Sequence, residues 1–153
     1  MTHLCCDVLK QLEGKTLCTA ESCTGGGIGA ALTAVPGSSA VYKGGIISYT
    51  NQVKHDLLGV DYALLDTYGA VSAPVAEAMA AGARKALKAD IAVSVTGLAG
   101  PGGDDFGNPV GRVYIGYSDA KVTLHREFTF SGDREEVRRQ AAQEALKLIL
   151  AMN

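Results

Sequence analysis

The stretch that most constrains this chain is Ala20-Glu21-Ser22-Cys23-Thr24-Gly25-Gly26-Gly27. A β-prone run, Thr16-Leu17-Cys18-Thr19-Ala20, leads into it, and apolar residues at Ile28, Ala31, Leu32 and Val35 follow. Their i, i+3, i+4, i+7 spacing marks one face of a helix. The order is therefore strand, glycine turn, helix, with Ser22 and Cys23 at the strand's carboxyl end. First-turn N–H groups of a helix lack intrahelical partners and the helix dipole favours negative charge, so this start reads as an anion site. The same residues also permit a purely structural reading, in which Ser22 caps the helix and the glycines let it pack closely.

Length and charge narrow the classes of function. A chain of 153 residues suits one domain with a sizeable core. Hydrophobic residues make up 47% and charged residues 20%, which is a globular rather than a disordered composition. Net charge is −2 with no basic block, so no nucleic-acid partner is expected. No apolar run reaches the roughly 18 residues of a membrane span. Met1-Thr2-His3-Leu4-Cys5-Cys6-Asp7 has neither the basic nor the apolar region of a signal peptide, so a cytoplasmic location is expected. Cys5, Cys6, Cys18 and Cys23 form no C-x-x-C pair, and His3, His55 and His125 are scattered. Reduced thiols and no metal site are therefore expected. Oligomeric state is open, and a homo-oligomer is compatible with the sequence.

Along the chain, residues 4–13 read as a helix on the repeat of Leu4, Val8 and Leu12, ending at Gly14. Pro36-Gly37-Ser38-Ser39 breaks the helix after the glycine turn. Val41 to Tyr49 reads as a strand, with Gly44-Gly45 marking a bulge or a close backbone approach. Asn51 is expected to cap a short helix through Lys54, Leu57 and Leu58, and Asp61 another over Tyr62 to Tyr68. Ser72 is expected to cap a longer helix with Pro74 in its first turn. Ile91 to Val95 reads as a buried central strand. Val110 to Tyr117 and Val122 to Phe130 read as an antiparallel hairpin, and Asp133 with Glu136 as the start of the last helix. The whole, residues 1–153, is predicted to be one α/β domain: a mixed sheet with helices on both faces, a three-layer α/β/α sandwich.

A second glycine-rich loop, Thr96-Gly97-Leu98-Ala99-Gly100-Pro101-Gly102-Gly103-Asp104-Asp105, also follows a strand's carboxyl end. Ligands of open α/β sheets bind in the crevice outside those ends, so two such loops point to one site. A serine there needs a base, and no histidine sits in a persuasive loop. Lysine serves if burial lowers its pKa. The segment Ser48 to Lys54 could bring Tyr49 and Lys54 to the same sheet edge as Ser22. Spacing alone equally allows a solvated Lys54 and a packed Tyr49. Cys23 is the rival nucleophile, because a helix N-terminus depresses a thiol's pKa. Arg134, Arg138 and Arg139, in the first turns of the last helix, either fork onto a phosphate or face water.

Ala20-Glu21-Ser22-Cys23-Thr24-Gly25-Gly26, Gly45-Ile46-Ile47-Ser48-Tyr49-Thr50-Asn51, Lys54, Leu58-Gly59-Val60, Gly69-Ala70-Val71-Ser72, Thr96-Gly97-Leu98-Ala99-Gly100-Pro101 and Pro109-Val110-Gly111 resemble the CinA C-terminal domain family, in order and from near residue 6 to near residue 150. That family includes nicotinamide mononucleotide (NMN) amidohydrolases, so the resemblance implies hydrolysis of the NMN carboxamide to nicotinate mononucleotide and ammonia. It implies Ser22 as nucleophile, Lys54 as its base and Tyr49 as an assistant. Thr96 and the arginines of the last helix, Arg138 foremost and Arg139 with it, would hold substrate. Backbone N–H groups around Cys23, Thr24, Gly25 and Gly26, or in the Thr96, Gly97 to Gly100 loop, would meet the oxyanion or the phosphate. Neither cofactor nor metal is implied. Some members carry a larger N-terminal domain associated with pyrophosphatase activity, which is not expected of these residues. The alternatives are a non-catalytic nucleotide-binding or regulatory module on the same fold, or an amidase for another small amide.

Overall fold

A computed structural model describes residues 1–153. The strands are β1 (Leu17–Glu21), β2 (Tyr42–Ile47), β3 (Ile91–Gly97), β4 (Arg112–Ser118) and β5 (Thr123–Thr129). The helices are α1 (Thr2–Gln11), α2 (Gly27–Thr33), α3 (Asn51–Leu58), α4 (Tyr62–Tyr68), α5 (Ala73–Leu87) and α6 (Arg134–Met152), with one 3-10 turn at Ser38–Ala40. One sheet runs β2-β1-β3-β4-β5. β1 is parallel to β2 and β3, whereas β4 is antiparallel to both of its neighbours. The carboxyl ends of β1, β2, β3 and β5 therefore meet at one edge, and α6 begins there straight after β5.

Alternation along the strands divides the core into two layers. Leu17, Val93, Val95 and Ile115 face α1, α2 and α6, where Leu12, Ile28, Leu32, Val137, Leu146 and Ile149 pack on them. Cys18, Ala20 and Ala92 face the other way, against Leu58 of α3, Leu65 of α4, and Val75 and Met79 of α5. The single domain is thus a mixed sheet between two helical layers. β3 is covered on both faces, which is why its sequence is a continuous apolar run. Of its two buried polar side chains, Ser94 donates to Ala76 O on α5 at 2.6 Å and Thr96 to Ala70 O at 2.7 Å.

Several local expectations shift by a residue or two. The β1–β2 register slips between Leu17↔Tyr42 and Cys18↔Gly44, leaving Lys43 as the extra residue of a bulge beside Gly44-Gly45. The cap of α3 is Thr50, whose Oγ1 accepts from Val53 N, so Asn51 is already inside the helix. Asp61 and Ser72 occupy cap positions without capping hydrogen bonds; the Ser72 hydroxyl donates to Gly69 O instead. Asp133 does cap α6, accepting from Glu136 N at 2.9 Å. The cap of α2 is Gly26, not Ser22.

Candidate active site

Glu21 and Ser22 are consecutive residues at the end of β1, so their side chains leave on opposite faces of the sheet. Glu21 turns toward α2. Its carboxylate accepts from Thr24 Oγ1 and Ile28 N, both at 2.8 Å, from Gly29 N at 3.0 Å and from Thr19 Oγ1 at 3.2 Å. The anion-binding start of α2 expected from the sequence is therefore filled by the chain's own carboxylate. A ligand phosphate cannot use it. The reason is the strand's alternation, which delivers Glu21 to the helix start and keeps Ser22 away from it.

Ser22 turns toward α3, where it meets Lys54. Lys54 Nζ lies 3.1 Å from Ser22 Oγ and donates to Ser48 O at 2.7 Å and Tyr49 O at 3.4 Å. Lys54 is 1% exposed, which excludes the solvated reading. It sits on the same face of α3 as buried Leu58, one turn later. Burial, unmatched by any carboxylate contact, pulls its pKa down to about 8; the Cys23 thiol opposes this weakly. A substantial neutral fraction is therefore present at physiological pH.

Cys23 is also buried, and burial pushes its thiol up to about 11, against smaller opposing effects of its own backbone N–H, Arg138 and Lys54. The helix terminus that would have activated this thiol is taken by Glu21. Of the two adjacent candidates, Ser22 has an amine within hydrogen-bond reach, whereas burial keeps the Cys23 thiol protonated. Gly25 and Gly26, at φ +60° and +100°, carry the turn through left-handed backbone that other residues resist. No other residue accepts from the N–H groups of Cys23 and Thr24, the two that follow Ser22 in the chain. The Thr24 side chain, engaged with Glu21, does not face the cleft.

Ser22 and Lys54 open onto a cleft of about 650 Å³, walled by Cys23, the second glycine loop, Val71, Asn51 and Tyr49; Gly25 and Gly26, expected there from the sequence, do not line it. Thr96 lines it with its hydroxyl donated to Ala70 O at 2.7 Å. Gly97 is needed for β3 to approach β4: a Cβ there would stand 2.6 Å from Val113 Cγ2. Asp104 and Asp105, which end the second glycine loop, also line the cleft, and so does Phe106, which follows it. Asp104 ties this segment down, accepting from Phe106 N and Asn108 N at 3.1 Å, while Asn108 Nδ2 reaches Val71 O at 3.0 Å.

The arginines are placed differently from the sequence expectation. Arg134 lines the cleft, donating to Gly100 O at 2.7 Å and to the Tyr49 hydroxyl at 3.2 Å. Arg138 lies behind the glycine turn, donating to Cys23 O at 2.9 Å and Thr24 O at 3.2 Å. Arg139 is exposed and bonds Gln143 on its own helix. Each residue of a helix advances about 100°, which carries Arg139 roughly 140° away from Arg134. Tyr49 is 60% exposed, and its hydroxyl faces Arg134 rather than Ser22.

Comparison with known proteins gives the family of this chain. The family model described as CinA C-terminal domain matches residues 2–152. The chain belongs to that family. A CinA-like protein of Acidobacterium capsulatum is 46% identical over 139 residues, covering 91% of this chain and 34% of that protein. A CinA-like protein of Parasynechococcus marenigrum is 58% identical over 110 residues, 72% of this chain and 26% of its own. The chain thus spans about a third or less of the length of these curated relatives. Among solved CinA structures, a competence/damage inducible protein from Agrobacterium tumefaciens is 41% identical with a TM-score of 0.96, covering 99% of this chain and 94% of that one. A CinA superfamily protein from Escherichia coli is 34% identical with a TM-score of 0.97, over 99% and 90%.

Proposed function

We propose that this CinA-family domain hydrolyses the carboxamide of NMN to nicotinate mononucleotide and ammonia. The observation that carries the proposal is a buried lysine, with a pKa near about 8, 3.1 Å from a serine hydroxyl at the floor of a cleft. The family resemblance supplies the substrate, and the geometry supports the chemistry.

Neutral Lys54 takes the Ser22 proton as Ser22 Oγ attacks the carboxamide carbon. The resulting oxyanion lies beside the unpaired N–H groups of Cys23 and Thr24; one such donor is typically worth about 3 kcal/mol in the transition state. The Lys54 ammonium returns its proton to the departing nitrogen, which leaves as ammonia. Water, deprotonated by Lys54, then attacks the Ser22 ester, and Lys54 passes that proton to Ser22 Oγ as the ester bond breaks and the carboxylate product leaves. With the start of α2 closed by Glu21, Arg134 is the cation left at the cleft for the phosphate. Its guanidinium has five N–H donors, of which two are engaged.

The test is ammonia release from purified protein offered NMN, nicotinamide riboside or nicotinamide. Fast release from NMN alone supports the proposal. No release from NMN overturns it, and equal rates on the riboside overturn the phosphate role of Arg134.

A further inference from the structure

We propose that Glu21 is the positioning residue of the nucleophile: its carboxylate, gripped by the first turn of α2, holds the turn that sets Ser22 Oγ against Lys54 Nζ. The inference rests on the hydrolytic reading of Ser22. Glu21 is 2% exposed and takes part in none of the chain's three ion pairs. A carboxylate buried without a cation needs several donors to hold its charge. Here two are helix N–H groups, where the dipole favours an anion, and two are the hydroxyls of Thr19 and Thr24.

The cap is unusual in its span. An ordinary capping side chain comes from the residue at the helix boundary and reaches N–H groups two or three residues on. This one comes from Glu21 and reaches Ile28 and Gly29, seven and eight residues later. Everything between, Ser22 to Gly27, becomes a closed loop with the nucleophile as its first member. Inside the loop only Gly25 N to Ser22 O and Gly27 N to Thr24 O cross the turn, through two glycines of left-handed backbone. Such a loop has little stiffness of its own; from outside, Arg138 holds the carbonyls of Cys23 and Thr24, and the Glu21 carboxylate ties the other side to α2.

Glu21 also ties the base. Its carbonyl accepts from Ser48 N at 2.8 Å, and Ser48 O accepts from Lys54 Nζ at 2.7 Å. Ser22 N, in turn, donates to Val95 O at 3.0 Å. The backbone beside the nucleophile is thus clamped to β2 and β3, and the side chain clamps the turn to α2. Released from the carboxylate, the loop drifts while the scaffold stays. A displacement near 1 Å of reacting groups costs on the order of 10²-fold in rate.

The experiment compares wild type, Glu21→Gln and Glu21→Asp in kcat and KM for NMN, with circular dichroism as the fold control. It adds the rate at which p-nitrophenyl acetate acylates Ser22, read as the burst of p-nitrophenolate that Ser22→Ala lacks. Glutamine keeps the volume but sets an NH₂ against a backbone N–H donor. The expected result is kcat lowered about 10²-fold with KM changed less than about twofold. Acylation should fall in proportion, and Glu21→Asp should recover part of both. If Glu21→Gln does not fold, Thr24→Val removes one donor to the carboxylate and should slow acylation about fivefold. Wild-type acylation in a folded Glu21→Gln or Thr24→Val variant overturns the proposal, as does a change confined to KM. A wild-type protein that acylates at Ser22 but leaves NMN intact refutes the substrate and still lets acylation judge Glu21.

Discussion

Removing the Lys54 amine should abolish activity and, at neutral pH, strengthen the fold. An ordinary lysine titrates near about 10.4 and is neutral in roughly one molecule in 2,500 at pH 7. Burial brings Lys54 to about 8, which makes it neutral in roughly one in ten. The site thus gains a roughly 200-fold larger share of active base, and the fold carries the cost of a buried charge. The folded-state value lies below the unfolded one, so the unfolded chain binds more protons between the two. Stability is therefore lowest below about pH 8 and rises as pH climbs toward 10.4. The difference of more than two pH units corresponds to about 3 kcal/mol. Lys54→Met removes that dependence and loses the bonds to Ser48 O and Tyr49 O, each worth about 1 kcal/mol. Urea unfolding of wild type and Lys54→Met at pH 7 and pH 10.5 gives the comparison. The variant's advantage over wild type should fall by about 3 kcal/mol between the two pH values. Wild-type kcat/KM should rise nearly tenfold from pH 7 to pH 9 and then level. Lys54→Arg, which stays charged, should be as inactive as Lys54→Met. A stability gap independent of pH, or an active arginine variant, refutes the argument.

Two further substitutions separate neighbouring roles. Arg134→Ala should raise KM for NMN about 10- to 100-fold, as expected for a charged hydrogen bond to phosphate, whereas Arg139→Ala should leave the kinetics unchanged. Ser48 is fully buried, and its hydroxyl has no hydrogen-bond partner. Ser48→Ala should therefore leave stability unchanged or raise it by about 1 kcal/mol in urea unfolding, because an unsatisfied buried hydroxyl is destabilising.

Much of this was legible in the residues. The apolar run of β3, the β4–β5 hairpin, the Asp133 cap and the bulge near Gly44-Gly45 all follow from period and turn chemistry. Arg139, expected to hold substrate, stands about 200° around the helix from Val137, which is buried in the core. Choosing between Arg134 and Arg138 was not legible, since both lie on the inner half of α6 and only its height over the sheet edge separates them. The role of Glu21 was hidden for another reason. Sequence motifs place caps within a few residues of a helix start, and no local pattern shows that a strand residue reaches over a six-residue turn. Nor does spacing reveal that Lys54 is buried, because α3 is short and its apolar residues Val53, Leu57 and Leu58 mark no single face; the long-range packing of α3 on α5 decides it.

β2 is an edge strand, joined to the sheet through β1 alone, and the chain that leaves it supplies both carbonyls that hold the Lys54 amine. Edge segments open at lower free energy than a sheet's centre. Each opening lets water reach the amine and returns its titration toward that of an ordinary lysine, which removes the neutral fraction although the molecule is still folded. Activity and fold should therefore have separate thresholds in this architecture. Mild denaturant or warmth should lower the rate through rehydration of one nitrogen while far-UV circular dichroism still reports a native protein.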